Sequence, residues 1–384
     1  MTQPRFLYWR LSGFYLFYFA TLGALLPYWS LYLRSEGFGA AEIGELVAIL
    51  MATRLIAPAL WGWLADRSGR RILIIQIASL LAALIFAGVL VDSSYRWLAL
   101  VMIGFSFFWN AALPQFEAIT LSHLGASSHR YSHVRLWGSI GFILAVAALG
   151  PLLDTYGPGL LPYILVLLLG GIWVASLLVP DHPGLASSQP HAPLRQVLRR
   201  PEVVALLLVC FLMQASHGPY YTFFTLYLED YGYSRSAIGQ LWALGVIAEI
   251  GVFLMMHRWL PRFGACRLLI ASLALTTLRW LLIAGFGDHL SIILGAQLLH
   301  AASFGVHHAV AIHLIHQYFV GRNQGRGQAL YSSLSFGAGG AVGSLAAGYL
   351  WTAVGAQWTY VAAAAISGLA WAVAWRRLRP VRFG

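Results

Sequence analysis

Ionisable side chains interrupt several stretches of this sequence that are otherwise apolar. Arginine binds carboxylates through two parallel hydrogen bonds, glutamate gains and loses protons, and histidine titrates near neutral pH. Side chains of these types, if placed together, could bind an organic anion and move a proton. The positions are Arg54, Glu117, Arg135, His217, Glu249, Arg279 and the five histidines of LLHAASFGVHHAVAIHLIHQ (298–317).

The histidines of 298–317 do not fit a metal site. Zinc takes three or four convergent ligands, but the chain has only two cysteines, and this stretch has no acid and no pair of histidines four residues apart. At about 100° per residue, His300 and His307 share one helix face, and His313 and His316 lie on the far side. We therefore predict no metal and no cofactor, and we expect a proton gradient to be the energy source. His300 is the candidate for proton coupling, while His307 and His308 either line a cavity or pack as hydrogen-bonded residues.

The surrounding sequence has the composition of a membrane protein. Of its 384 residues, 59% are hydrophobic and 10% are charged, whereas a soluble domain carries about 25% charged residues. Apolar runs such as 72–91 suit bilayer helices, which need about 20 residues, and the alternation of a membrane barrel is absent. We predict an all-α membrane protein surrounded by lipid. The net charge of +11 is spread among loops, which favours membrane orientation over nucleic-acid binding.

Charged, glycine-containing or proline-containing breaks separate twelve apolar segments. One polar connection divides them six and six, so we predict an N-terminal bundle (1–180), a cytoplasmic linker (181–202) and a C-terminal bundle (203–384). The segments lie near 11–33, 43–65, 72–91, 97–121, 135–153, 161–180, 203–227, 238–258, 268–286, 290–317, 329–353 and 357–375.

The arginines predict how these spans are oriented. With both termini in the cytoplasm, eighteen arginines fall on the cytoplasmic side, three fall outside and three lie within spans. This agrees with the excess of basic residues in cytoplasmic loops. We expect a monomeric, multi-pass protein of the cell inner membrane with both termini in the cytoplasm.

The two halves contain an internal repeat. Shifted by 195 positions, LYLRSEGFGAAEIGEL (31–46) aligns with LYLEDYGYSRSAIGQL (226–241), and Gly69 aligns with Gly264. Transporters built from two related halves bind near the bilayer midplane, where the repeats meet.

Helix geometry groups the buried charges by depth. Glu117 and Arg135 lie about nine residues on either side of the turn between spans 4 and 5, so they could pair. Glu249, Arg279 and His300 lie 14, 16 and 23 residues from their own turns, at comparable depth. A charge at the centre of a span costs about 2.5–3.5 kcal/mol, so each cluster is either a structural ion pair or a functional site.

The loop after span 2 reads GWLADRSGRR (62–71). It resembles the major facilitator superfamily, whose signature between its second and third helices is G-x-x-x-D-R-x-G-R-R. The glycines would allow close helix packing and a tight turn, and the arginines would hold the next helix at the cytoplasmic face. We expect this motif to control conformation without touching substrate, through Gly62, Asp66, Arg67, Gly69 and Arg70.

Other segments are similar to the galactoside–proton symporter family of that superfamily: FYFATLGALLPYWSLYL (17–33) and HVRLWGSIGF (133–142). The resemblance implies that Glu117 and Arg135 bind substrate and that Arg279 and His300 couple protons. That family has an acid three residues after the histidine, where this chain has Ser303. We therefore expect Glu249 to be the group that gains and loses the proton.

A closer resemblance is to the 3-phenylpropionate permease branch of the superfamily, through QASHGPYYTFF (214–224), YGYSRSAIGQLWALGVIAEI (231–250) and LRWLLIAG (278–285). It implies uptake of a small aromatic carboxylate with a proton. His217 precedes Gly218-Pro219, which should break span 7, and broken membrane helices occur only beside protein or a water-filled cavity. The candidate substrate residues are Arg135, Glu117, Arg54, His217, Tyr221 and Trp242.

Other functions stay open at this point. The same fold could serve a sugar or nucleoside symporter or a drug–proton antiporter, and a non-transporting membrane sensor or receptor is the alternative of another class. An enzyme is not expected, because the sequence contains neither H-E-x-x-H nor G-x-S-x-G. A nucleotide-driven pump is not expected either, since there is no P-loop.

Overall fold

The fold is known from a computed structural model that describes residues 4–125, 130–181, 194–321 and 323–378. Most of the predicted linker (182–193), the tip of the turn between spans 4 and 5 (126–129) and Arg322 lie outside the described residues. The described chain is helical, and no strand occurs within it.

Twelve long helices follow one another close to the predicted spans. In the described part of the chain, eleven of them, all except α11, are long and apolar enough to cross a membrane. The middle of α11 is rich in glycine and serine, which lowers its hydropathy. The helices are α1 (Pro4–Ser35), α2 (Ala40–Ser68), α3 (Arg71–Leu90), α4 (Tyr95–Leu124), α5 (Tyr131–Tyr156), α6 (Pro158–Leu177), α7 (Pro201–Asp230), α8 (Arg235–Phe263), α9 (Ala265–Gly285), α10 (Leu290–Tyr318), α11 (323–354) and α12 (Ala356–Arg377).

Contacts divide the chain into two compact units, and each unit includes one helix segment from the other half of the sequence. These two are called the exchanged segments. Unit 1 comprises Met1–Phe38, Ala52–Ala186 and Ser234–Ala243, and unit 2 comprises Gly39–Met51, Ser187–Tyr233 and Leu244–Gly384. The first part of α2 therefore packs within unit 2, and the first part of α8 packs within unit 1. These two segments are the ones that the internal repeat relates.

The repeat is visible in how the exchanged segments pack. A Cβ placed on Gly44 of α2 would lie 2.8 Å from the Cα of Gly348 in α11. A Cβ on Gly239 of α8, the repeat equivalent of Gly44, would lie 2.3 Å from the carbonyl oxygen of Val146 in α5. Each segment thus lies against another helix at a distance that only glycine permits.

The loop motif forms the turn that the sequence predicts. Gly69 ends α2 in the left-handed conformation at φ 66°, and its equivalent Gly264 ends α8 at φ 78°. Asp66 accepts a hydrogen bond from Arg71. Arg67 lies over the ring of Trp63. The Asp66–Arg71 bond ties the end of α2 to the start of α3, while the Arg67–Trp63 contact lies within α2.

The close packing predicted at Gly62 is not seen. A Cβ there would lie 3.4 Å from the Gln115 side chain, which is ordinary contact. The shortest such approach in the described part of unit 1 lies instead between α5 and α1, where a Cβ on Gly141 would lie 2.2 Å from the carbonyl oxygen of Leu16. The sequence motif marks the turn after α2, and the tight helix contacts lie outside the motif.

Four of the long helices are irregular near the predicted site residues. Helix α2 contains a 3₁₀ segment, Thr53–Leu55, around Arg54. Helix α7 is interrupted at His217, as Gly218-Pro219 predicts. Helices α10 and α11 contain π-helical segments, Ala301–Val306 and Ser333–Gly339, whose Phe304 and Phe336 rings are 6.2 Å apart. π segments frequently occur at functional sites.

Candidate functional site

Arg135 of α5 lies against aromatic ring faces of α1. Its Cζ is 3.8 Å from the centre of the Phe19 ring and 5.8 Å from that of Tyr15. Gly138, almost one turn further along α5, leaves the space, because a Cβ there would lie 2.6 Å from Nη1 of Arg135 and 2.7 Å from Phe19. The guanidinium is thus positioned by ring faces, which attract a cation but leave its N–H groups available to an anion.

Glu117 of α4 has a different partner from the one expected. Its carboxylate accepts a 3.2 Å hydrogen bond from the hydroxyl of Tyr131. Arg135 is close enough for electrostatic interaction with Glu117, but among the described contacts the two form no ion pair. The depth argument therefore identified neighbours and not a bonded pair.

Stacked aromatic rings fill the space between α1 and α4 in unit 1. The ring centres of Phe14 and Phe116 are 3.6 Å apart, and those of Tyr18 and Trp109 are 5.0 Å apart. Phe14 and Tyr18 are also stacked, at 6.1 Å, so the four rings form one continuous series. These rings are buried, and Arg135 contacts the same helix through Tyr15 and Phe19.

Arg54 is bonded to a residue that the sequence analysis missed. Its Nε donates a 3.1 Å hydrogen bond to Oδ1 of Asn110 in α4. Asn110 in turn donates to Thr53, and Thr53 donates to Ser106, both at 2.9 Å. From the sequence alone Arg54 could pair with Glu117 or contact the substrate, and in the structure its partners include Asn110. The signal in the sequence is an amide in the middle of span 4.

Arg279 of α9 is fully buried in unit 2 and is held by neutral acceptors of α10. Its Nε donates to the carbonyl of Ala296 at 2.9 Å, Nη1 to Ser303 at 3.1 Å, and Nη2 to Gln297 at 3.0 Å. Ser303, which stands where the galactoside family has an acid, is therefore a partner of Arg279. Gln297 was missed, although an amide one turn before His300 was a signal for it.

Glu249 of α8 and His300 of α10 are brought together. The carboxylate Oε2 lies 3.8 Å from Nε2 of His300. Two glycines make room: a Cβ on Gly245 would lie 3.3 Å from the His300 ring, and one on Gly305 would lie 3.2 Å from Cγ of Glu249. Of the predicted group Glu249, Arg279 and His300, the first and last therefore form a pair. Arg279 instead forms hydrogen bonds with other residues of α10.

His217 and Tyr221 belong to the aromatic surroundings of Arg279. The His217 ring stacks on Tyr221 with centres 5.7 Å apart and meets Trp280 edge-on at 4.9 Å. Its Nδ1 donates a 2.9 Å hydrogen bond to the Met213 carbonyl. Trp242 is buried in the segment of α8 that packs within unit 1. The six candidate substrate residues are therefore divided between the units, with Arg135, Glu117, Arg54 and Trp242 in unit 1 and His217 and Tyr221 in unit 2.

The π segment of α10 changes which histidine shares the face of His300. The His300 ring stacks on Phe304 and Phe304 stacks on His308, each with centres 5.7 Å apart. The i→i+5 hydrogen bonds of the π segment add about one residue to the helical turn. His308 therefore replaces His307 on the helix face that carries His300. The prediction that His300 and His307 share one helix face assumed a regular helix and is wrong for this reason.

The chain belongs to a known family of transporters. The sequence profile of the MFS_1 like family, of the major facilitator type, matches residues 8–362. Members with this fold transport small molecules across membranes and are not enzymes, and the chain is accordingly a multi-pass membrane transporter of this type.

Several relatives resemble the chain over most of its length. It is 30% identical to the "Probable 3-phenylpropionic acid transporter" of Escherichia coli (strain K12) across 90% of this chain and 92% of that one. It is 27% identical to the maltose permease of Geobacillus stearothermophilus across 88% of this chain and 86% of that one. A solved structure of a mutant of nucleoside transporter NupG superposes with a TM-score of 0.85 at 18% identity, covering 97% of this chain and all of that one.

Proposed function

We propose that this transporter takes up a small aromatic carboxylate together with a proton. The observation that carries the proposal is Arg135, a cation whose described contacts are ring faces and not a carboxylate. A carboxylate can accept two parallel hydrogen bonds from a guanidinium. The neighbouring Phe19 and Tyr15 supply ring faces against which a substrate ring can pack.

The similarity to relatives supports the same substrate class. A protein named as a probable 3-phenylpropionic acid transporter is 30% identical over most of both chains. The maltose permease is similar at 27%, and a sugar hydroxyl can donate to Glu117 and accept from Arg135. The uptake experiment below therefore includes sugars and nucleosides.

The Glu249–His300 pair is our candidate for proton coupling. A carboxylate next to an imidazole can exchange a proton with it, and the pair lies among membrane helices where ionisable residues are rare. Arg279 would keep its place through Ser303, Gln297 and the Ala296 carbonyl, whatever the protonation of Glu249. In alternating access the site opens to one side at a time, so the pair could load a proton on one side and release it on the other.

Uptake into liposomes tests the proposal. Purified protein is reconstituted with a pH-sensitive dye inside, and labelled phenylpropionate, cinnamate, lactose, maltose and uridine are offered with and without an inward proton gradient. We expect the aromatic acids to accumulate only with the gradient and to carry protons inward. Protein-free liposomes and a protonophore are the controls.

Competition separates the parts of the substrate. Phenylpropanol has the ring without the carboxylate, and propionate has the carboxylate without the ring. We expect phenylpropanol not to compete and propionate to compete weakly. Accumulation of maltose or uridine in place of the acids would replace the proposal with a sugar or nucleoside symporter.

A further inference from the structure

Three buried histidines of unit 2 carry ring nitrogens that have no hydrogen-bond partner in the described part of the chain. They are Nε2 of His217, Nδ1 of His300 and both nitrogens of His307. The three side chains are between 1% and 5% exposed. Buried polar atoms are nearly always bonded to protein or to water, so the four ring nitrogens of these three histidines require partners, such as water, that the protein packing does not supply.

These histidines form one series that begins at the Glu249–His300 pair. His217 lies within electrostatic range of His300 and also of His307. Neighbouring rings connect His217 to His300: the ring centres are 4.9 Å apart for His217 and Trp280, 5.8 Å for Trp280 and Tyr220, and 5.5 Å for Tyr220 and His300. The order is therefore Glu249, His300, His217 and His307.

His307 has the arrangement that a proton relay requires. A neutral imidazole passes a proton on by accepting it at one ring nitrogen and releasing another from the second. Both nitrogens of His307 are unpaired. The neighbouring His308 differs, because its Nδ1 is bonded to the hydroxyl of Tyr331 at 2.9 Å and its ring is stacked on Phe304.

We propose that His217 and His307 carry the coupled proton between the Glu249–His300 pair and the end of α10 that we predict to be cytoplasmic. The proton passes from the Glu249 carboxyl to Nε2 of His300, whose Nδ1 proton leaves to water. His217, whose Nδ1 stays bonded to the Met213 carbonyl, accepts that proton at Nε2 and releases it from the same atom. His307 takes it at one nitrogen and releases one from the other, so each ring ends neutral and one proton has moved.

Positively charged groups beside the route disfavour a proton that stays on one of the histidine rings. Arg279 is within electrostatic range of His300 and His217, and His308 is within range of His307. A second positive charge beside Arg279 is repelled, so a proton would pass through these rings without remaining there. Buried polar groups of this kind are commonly bridged by water, which would connect successive rings.

The test compares His307→Gln with His308→Gln, two adjacent residues of which only the first is on the route. Each variant is reconstituted in liposomes, and two rates are measured: net substrate uptake with an inward proton gradient, and exchange of labelled for unlabelled substrate. Exchange needs no net proton release. We expect the ratio of net uptake to exchange to fall about 100-fold in His307→Gln, the lower end of what a positioned proton-transfer group contributes, and to stay unchanged in His308→Gln.

The inference rests on the proposed function, and the two can fail separately. If the wild-type protein moves substrate without protons, the proton coupling proposed above is wrong. If the wild type moves protons and His307→Gln keeps the wild-type ratio, or both variants lose it equally, the relay is wrong. Should His307→Gln fail to fold, His217→Gln is measured by the same ratio, and a wild-type ratio in that variant also overturns the relay.

Discussion

At the scale of single residues, Arg279, which is fully buried, and Arg135, which is partly exposed, are held in different ways. Arg279 has hydrogen bonds from Nε, Nη1 and Nη2 to acceptors of α10. Arg135 rests on ring faces and has no such set of acceptors among its described contacts. A substitution at Arg279 should therefore act first on the packing of α9 against α10, whereas one at Arg135 should act on substrate.

The first prediction concerns Arg135→Lys. An ammonium cannot hold a carboxylate with two parallel hydrogen bonds. Losing a charged hydrogen bond costs about 1.5–3 kcal/mol, so we expect aromatic acids to bind roughly 10- to 150-fold more weakly while the protein still folds. Equilibrium binding of labelled phenylpropionate to detergent-solubilised protein measures the effect. Arg96→Lys, at the exposed start of α4, is the matched control, and wild-type affinity in Arg135→Lys would remove Arg135 from the site.

The second prediction concerns Glu249→Gln. The amide fits the space of the carboxylate beside His300 but cannot gain and lose a proton. We expect uphill accumulation driven by a pH gradient to disappear and exchange of labelled for unlabelled substrate to continue. Glu202→Gln, at the partly exposed start of α7 and away from His300 along the chain, should keep both activities. Gradient-driven accumulation at the wild-type level in Glu249→Gln would shift the proton site to His300 or Glu117.

At the scale of helices, the sequence predicted some irregularities and not others. The break of α7 at His217 was predictable because Gly218-Pro219 marks it, and the turn at Gly69 was predictable from the loop motif. The 3₁₀ segment around Arg54 has a similar marker, because Pro58 has no N–H to donate to the Arg54 carbonyl. The π segment Ala301–Val306 carries no comparable marker. A helical wheel assumes a regular helix, so it assigned the wrong histidine to the face of His300. A helical wheel describes one helix at a time, so it did not pair Arg54 of α2 with Asn110 of α4, although an amide in the middle of span 4 was visible in the sequence.

The third prediction concerns close contact between helices. In Gly141→Ala the new methyl group would meet the backbone of α1 at Leu16, which cannot move aside as a flexible side chain can. We expect a loss of about 1–3 kcal/mol in stability, as for other overpacked sites, read from thermal unfolding in detergent. Gly170→Ala, in α6, is the control, because nothing lies within 4 Å of its Cβ position. Equal melting temperatures for the two variants would contradict the tight α1–α5 contact.

At the scale of the whole molecule, the internal repeat accounts for the division into units. The exchanged segments of α2 and α8 are equivalent in the repeat, and each carries the glycine of a close helix contact, Gly44 or Gly239. The sequence placed these glycines 195 positions apart but could not identify what they pack against. Packing partners depend on how several helices are arranged in the folded protein. Aligning the sequences of the two halves gives no information on that arrangement.

The fourth prediction concerns orientation in the membrane. If both termini are cytoplasmic, alkaline phosphatase fused after Ser93, between α3 and α4, should be exported and active. A fusion after Gly264, between α8 and α9, should be inactive, and a fluorescent protein at the C-terminus should fluoresce. Each fusion is assayed in whole cells with its amount checked on a blot. The opposite pattern of activity would reverse the predicted orientation.

The π segment of α10 also bears on how relatives should be aligned. It holds about one residue more than a regular turn, so a relative that lacks one residue between the equivalents of His300 and His308 would have an ordinary helix there. In such a relative the side chain seven positions after the histidine would occupy the face that His308 occupies here. A gapless alignment would then equate it with His307. Corresponding positions beyond this point are therefore found by matching helix faces, with a one-residue gap placed inside 301–306.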